Sequence, residues 1–275
     1  MDLPKAKSVI IIMLVAFNIF LLFNNWTSFE GQGIQKETIK NTAAILSARG
    51  VILDCSIPRT SKAAYRLGFG SGRLDRAAIA GRLLGESLSE DNEAASFGYD
   101  GKRIEFLSGT RFVFTDDKPE YKVDINEDDE VGMVAMKYLK DMGLLSGKYV
   151  QDELRRDPDG SVIVTFVQEY EGLLVYDNYC TVTVTGEGIT KLEYGKLQIT
   201  GFTPERVQDL AAAYQVLLAN YKEGSKMVIT SIDVGYKYSE DNFTEDVQSL
   251  ELLPVWRVKI KDVPEPDYLS TMENG

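Results

Sequence analysis

The sequence predicts an α+β fold, with an N-terminal transmembrane helix followed by two antiparallel sheet-plus-helix modules. Three observations carry this expectation. The chain opens on an apolar run. Beyond it, helical periodicities alternate with paired strands rather than single ones, which indicates α+β rather than α/β. The strands are separated by hairpin and turn signals at Asp100-Gly101, Asp157-Pro-Asp-Gly160 and Gly186-Glu-Gly188.

The apolar run, Ser8 to Phe23, holds one internal polar residue, Asn18, and extends to Trp26. A helix of that length, rising about 1.5 Å per residue, crosses most of a hydrocarbon core roughly 30 Å thick. Lys5 and Lys7 precede it and the next basic residue is Lys36, so residues 1–7 are expected in the cytoplasm and the rest outside. The residues after the run (Asn24, Asn25, Trp26, Thr27, Ser28, Phe29) lack the small-residue pattern of a signal-peptidase site, which favours an uncleaved anchor. Asn18 either bonds within its own helix or faces a second helix. In the second case Ile11, Leu14, Val15, Leu21 and Leu22, spaced three, four or seven residues from it, share the contact face.

The first module is read over residues 27–122. Gln35–Arg49 has helical spacing at Ile39, Ala43 and Leu46, with Gly50 as its stop. A strand follows at Val51–Pro58. Gly68-Phe-Gly-Ser-Gly72 reads as a flexible loop before a helix at Arg73–Leu84. Three strands close the module at Ala94–Tyr99, Lys102–Leu107 and Arg111–Thr115.

Composition shifts at Asp116-Asp-Lys-Pro119 and across Asn126–Glu130, so the second module is read over 123–263. Its first helix, Glu130–Met142, has Asn126 or Asp128 as candidate cap. Strands at Lys148–Arg155, Ser161–Tyr170, Leu173–Thr185 and Ile189–Thr200 follow. Thr203 as N-cap and Pro204 at the first position suggest a long helix to Tyr221, with Val207, Leu210, Ala211, Tyr214, Leu217 and Leu218 as its apolar stripe. Strands at Met227–Tyr238 and Leu250–Ile260 end the module, and 264–275 reads as a frayed tail.

Side-chain chemistry excludes much. The chain has no histidine, which removes Ser–His and Cys–His nucleophile pairs and histidine zinc sites. Its two cysteines, Cys55 and Cys180, cannot build a zinc cluster; they fit either one disulfide or two separate core thiols. Gly68–Gly72 has neither nucleophile-elbow nor phosphate-loop spacing. Asp124, Asn126 and Asp128 imitate the start of a calcium loop, but Asp129 and Ala135 stand where glycine and glutamate are needed. Neither catalytic residues, cofactor nor metal is therefore expected. Asn25-Trp-Thr27 and Asn242-Phe-Thr244 are formal glycosylation sequons. The net charge of -12 becomes -13 once Asp2, Lys5 and Lys7 are set aside, which disfavours nucleic acid as a partner. What remains is a tethered extracytoplasmic domain that touches other proteins. A peptidase inhibitor or chaperone, or a wall hydrolase using an acid pair, are the rival classes.

Several segments resemble the YycI family. They are Lys5-Ala-Lys7, Asn18-Ile-Phe-Leu-Leu22, Gln168-Glu-Tyr-Glu-Gly172, Val175-Tyr-Asp-Asn178, the Ile232–Tyr238 strand and Pro254-Val-Trp-Arg-Val258. The resemblance covers the anchor and most of 150–260. It implies a PepSY-like or YycH-like ectodomain and regulation, without catalysis, of a sensor histidine kinase of the WalK/YycG two-component system in Gram-positive cell-wall homeostasis. It further implies a YycH-like accessory partner and a face for transmembrane contacts at Ile11, Leu14, Val15, Asn18, Leu21 and Leu22. Trp256, in a strand behind Pro254, is read as a core residue.

Overall fold

A computed structural model of the protein describes residues 13–14, 17, 34–59, 65–85, 95–119, 122–207, 210–238 and 249–271. The helices described over their whole length are α1 (Lys36–Ala48), α2 (Arg76–Leu84), α3 (Asp128–Asp141) and α4 (Ala213–Asn220). The strands are β1 (Val51–Leu53), β2 (Tyr65–Gly70), β3 (Ser96–Tyr99), β4 (Lys102–Phe106), β5 (Arg111–Asp116), β6 (Lys148–Arg156) and β7 (Val162–Tyr170). They continue with β8 (Leu173–Thr185), β9 (Gly188–Gly195), β10 (Gln198–Arg206), β11 (Met227–Tyr236), β12 (Ser249–Leu252), β13 (Pro254–Ile260) and β14 (Asp267–Ser270). The chain divides into two compact units. One comprises Met1–Ser61, Ala212–Ile232 and Lys259–Pro264; the other comprises Lys62–Ala211, Asp233–Val258 and Glu265–Gly275.

In the larger unit, period-two alternation builds the main sheet. On β5, Phe112 and Phe114 are buried while Val113 and Thr115 face the other way. On β8, Cys180, Val182 and Val184 are buried between half-exposed threonines. Each buried aromatic of this kind stabilises by about 1.5–3 kcal/mol. The inward set packs against Ile79 and Leu83 of α2 and Val131, Ala135 and Leu139 of α3. Helix α2 starts where the Asp75 carboxylate accepts from Ala78 N at 2.9 Å, and ends at Gly85, whose φ of 79° a side chain would resist. A second core gathers Leu67, Phe69, Leu173, Val175, Tyr236 and Leu252 around the three-stranded sheet β10-β2-β12.

The main sheet forks. β6, β7 and β8 pair in order, and β8 then has two neighbours on its far side. Tyr179–Thr185 pair antiparallel with β9, which continues to β5, β4 and β3. Leu174 and Val175 pair parallel with Gly235 and Tyr236 of β11, followed by β13 and β14.

In the smaller unit, α1 precedes β1, which pairs parallel with Met227–Ile229. Arg49 caps α4 from the end of α1, donating to the carbonyls of Leu218 (2.7 Å) and Tyr221 (2.8 Å). Gly50 has φ 90°, and a Cβ there would run into the Ser225 carbonyl, so only glycine fits the turn into β1.

The α+β class is found, with several corrections. The expected division at 122/123 falls inside one sheet, because Arg111–Thr115 pair with Lys191–Gly195. Two strand pairings are parallel where only antiparallel ones were expected. Gly68–Gly70 lie in a strand, not a loop: Leu67 and Phe69 are buried, and the bare glycines allow Thr200 to approach. The helix expected from Pro204 is strand as far as Arg206, held by Arg206 pairing with Tyr65, and α4 begins only at Ala213. Ala212 N is capped there by Gln215 Oε1 at 2.7 Å. The strand expected at Leu250–Ile260 is two, β12 and β13, in different sheets. Helix α3 has neither expected side-chain cap; Glu127 occupies that position. The expected tail contains β14, and Thr271 after it is fully buried.

For the anchor, Met13, Leu14 and Phe17 are helical and exposed, and the remainder of 8–26 lies outside the described residues, as do both sequons. No helix among the described residues is long and apolar enough to cross a membrane. Cys55 and Cys180 are both free thiols.

Candidate functional site

The most concentrated polar chemistry lies at the fork of the main sheet, and two bulges create it. Along β7 and β8 the register runs Val167 to Tyr179 and then jumps to Gln168 with Val175, so Tyr176, Asp177 and Asn178 are extra residues on β8. On β6, Gln151 pairs with Phe166 and Glu153 with Thr165, leaving Asp152 as an extra residue. Bulges re-aim side chains. Here they deliver Asp152 and Tyr176 to the same guanidinium.

That guanidinium is Arg257, in the middle of β13, with its side chain 5% exposed. Its Nη1 and Nη2 donate to Asp152 Oδ2 and Oδ1 at 2.9 and 2.6 Å, a bidentate pair. Nε and Nη2 donate to the Asp233 carboxylate of β11 at 3.1 Å each. The Tyr176 hydroxyl donates to Asp233 Oδ1, and the Tyr176 ring lies 4.3 Å below the guanidinium carbon. The Tyr268 ring of β14 packs tilted, at 53°, against the Tyr176 ring with centroids 5.3 Å apart, and Lys237 Nζ lies 5.6 Å from the Tyr268 ring. Lys237 also pairs with Asp177 at 2.6 Å. Gly235 leaves room for the Tyr176 ring, because a Cβ there would collide with the Leu174 carbonyl and press on that ring.

Burial works against the Arg257 charge, but hydrogen bonding to Asp152 and the neighbouring Tyr176 and Asp233 outweigh it and raise its pKa. Burial, and then the Asp233 charge, push the Tyr176 phenol up; burial pushes Tyr268 up to about 12. Both phenols are therefore neutral at physiological pH. The donors converge on carboxylates already present, so the cluster clamps β6, β8, β11 and β13 together.

Asn178, fully buried, fills the fork itself. Its amide donates to Gln168 Oε1 (2.6 Å) and the Leu197 carbonyl (3.0 Å), and its Oδ1 accepts from Leu197 N (2.6 Å). Gln168 donates in turn to the Ser146 carbonyl at 3.1 Å. Trp256 is core, as expected, with Nε1 donating to the Ala211 carbonyl at 3.0 Å.

Other candidates reduce to structure. The acidic run that imitates a calcium loop receives Arg156, which donates to the carbonyls of Ile125 and Asn126 and to Asp128. No group of three metal-ligating side chains is placed for a metal among the described residues. A hollow of about 400 Å³ lies against the β3–β4 hairpin, where Asp100 is paired with Lys118 at 3.0 Å. Of the anchor-face residues, only Leu14 is described, helical and 55% exposed; Ile11, Val15, Asn18, Leu21 and Leu22 lie outside the described residues.

Asp152, Asp233 and Arg257 are far apart in the sequence and are not legible there as a group. The available signal was an arginine set in an otherwise apolar strand, Pro254-Val-Trp-Arg-Val258. Among the described residues, segments carrying the family resemblance meet around the fork: Tyr176, Asp177 and Asn178 from one, Gln168 from a second, Asp233 from a third, Trp256 and Arg257 from a fourth. The family model of the YycI protein matches residues 30–268, and the chain belongs to the YycI family. No curated protein matches the chain.

Proposed function

We propose that this YycI-family chain is a non-enzymatic, membrane-anchored regulator of a WalK/YycG-type sensor histidine kinase in cell-wall homeostasis, acting with a YycH-like accessory protein. The observation that carries this reading is the family match across residues 30–268. Two features support it. The Arg257 cluster consumes its own donors and acceptors, as a scaffold does, leaving the surfaces to make contacts. The apolar run behind Lys5 and Lys7 is suited to hold the N-terminus in the cytoplasm and residues after 26 outside.

In this reading the anchor is also a contact surface. Asn18 presents an amide in lipid, with Ile11, Leu14, Val15, Leu21 and Leu22 around it, and interhelical amide bonds are worth about 0.6–2 kcal/mol. Replacing Asn18 with leucine is expected to lower co-purification of the kinase from detergent. Unchanged recovery with unchanged kinase output would refute the transmembrane contact. Crosslinking in intact membranes tests the whole reading: recovery of neither a sensor kinase nor a YycH-like protein would overturn it.

A further inference from the structure

Among the described residues, β3 is the last strand at one end of the main sheet and pairs on one side, with β4. The alternation of an antiparallel pair fixes which backbone groups that pairing consumes. Phe106 N donates to the Ala95 carbonyl at 2.7 Å, and the same register makes Phe97 with Ile104, and Tyr99 with Lys102, the bonded pairs. The amides and carbonyls of Ser96 and Gly98 therefore point outward along the open edge, and both residues are exposed.

Such an edge invites another strand, and proteins usually blunt it with charge, proline or a bulge. The sheet does so elsewhere: β6 carries the bulge at Asp152, and β14 follows Pro264 and Pro266. Strand β3, Ser-Phe-Gly-Tyr, has no charge, no proline and an unbroken register with β4. The hollow of about 400 Å³ at this hairpin is lined by Ser96, Gly98, Tyr99 and Arg103 among others, so there is room beside the edge.

The side chains define what fits. On the core side, Phe97 is 8% exposed and Tyr99 is 50% exposed, which continues the apolar surface to the rim. On the other side Gly98 pairs with Arg103, whose side chain is 65% exposed and approaches Glu105 at 3.8 Å along its own strand. That exposed pair contributes little by itself. A Cβ at Gly98 would meet nothing closer than the Lys102 carbonyl at 3.5 Å, so packing does not demand glycine there. The missing side chain instead leaves Arg103 reachable, over Gly98, from the next strand position about 10 Å away.

We infer that the β3 edge takes up an extended segment of a partner protein as a further strand. An acidic residue of that segment lies opposite Gly98 and reaches Arg103, and apolar residues on either side of it cover Phe97 and Tyr99. A second copy is a poor occupant: β3 paired with itself brings serine, phenylalanine, glycine and tyrosine, none of which offers Arg103 a carboxylate. Main-chain bonds at Ser96 and Gly98 supply affinity, and Arg103 supplies choice. The docking needs this edge alone, so its failure leaves the kinase and accessory-protein reading untouched.

The test uses the full chain in detergent and a labelled peptide, Ser-Val-Thr-Val-Glu-Val-Thr-Val-Ser, symmetrical about its glutamate so that either strand direction serves. Fluorescence anisotropy should show the parent binding it on the order of tenfold more tightly than the same peptide with lysine for glutamate. Arg103→Glu should reverse that preference. Gly98→Pro should abolish binding of both peptides, because proline removes an outward N–H that β4 does not use. Native-like tryptophan fluorescence confirms the fold of each variant. Hydrogen exchange over residues 96–99 should slow when the glutamate peptide is added. No binding by the parent, equal affinity for the two peptides, or binding unchanged in either variant overturns the inference. Exchange over 96–99 that slows with chain concentration, without peptide, also overturns it and assigns the edge to a second copy.

Discussion

Replacing Arg257 with methionine keeps the apolar stem and removes the guanidinium from the fork of the sheet. The loss is concentrated. A bidentate pair to Asp152 at 2.9 and 2.6 Å disappears, together with three hydrogen bonds to Asp233 and a cation placed 4.3 Å over Tyr176. The Asp152 side chain is 11% exposed and Asp233 27%, so two carboxylates are left facing each other with little water at one of them. Stranding a buried charge in this way costs about 3–5 kcal/mol, a large share of the 5–15 kcal/mol that holds an ordinary domain folded. At roughly 2–4 °C per kcal/mol for a domain of this size, the melting temperature falls by about 10 °C.

Urea unfolding of the full chain followed by tryptophan fluorescence measures this, since Trp256 is adjacent and 1% exposed. The second arm is Asp152→Leu/Arg257→Met, which also removes the more buried of the two stranded carboxylates and leaves Asp233 bonded to the Tyr176 hydroxyl. It is expected to recover all but about 1–2 kcal/mol, because an apolar pair replaces an ionic one of similar bulk. A single variant that loses less than about 1 kcal/mol, or a double variant no better than the single, refutes the clamp.

Two further outcomes follow from the buried polar groups. Among the described residues, Tyr149 Oη is buried without a hydrogen-bond partner, so Tyr149→Phe removes an unsatisfied group and should leave stability unchanged or raise it by about 1 kcal/mol in the same urea titration; a clear loss would mean that the hydroxyl is bonded in solution. Asn178→Ala strands Leu197 N and Gln168 Oε1 together, and should cost about 2–4 kcal/mol, whereas an exposed asparagine such as Asn126 should tolerate alanine within about 0.5 kcal/mol. Equal effects at the two positions would show that the fork does not depend on the Asn178 amide.

Local chemistry made much of the fold readable. The Asp100-Gly101 hairpin, the helices ending near Gly50 and Leu84, and the alternation of Thr181-Val-Thr-Val-Thr185 depend on residues that touch their near neighbours, so a short window contains the cause. The errors share the opposite property. Thr203 and Pro204 are good helix starters, yet Arg206 pairs with Tyr65, far away in sequence, and a strand partner overrides local preference. The Gly68–Gly70 segment is permissive by itself and becomes a strand only between β10 and β12.

The class of the fold, the apolar N-terminal run, the absence of histidine chemistry and the burial of Trp256 are legible in the residues alone. Each is a matter of composition or short periodicity. The fork at Asn178 and the meeting of Asp152, Asp233 and Arg257 come from the tertiary structure alone. A buried charge is tolerable only where several strands deliver its partners at once, and those partners meet only once strand register and its bulges are set. These are properties of pairing between distant segments, which no local window contains.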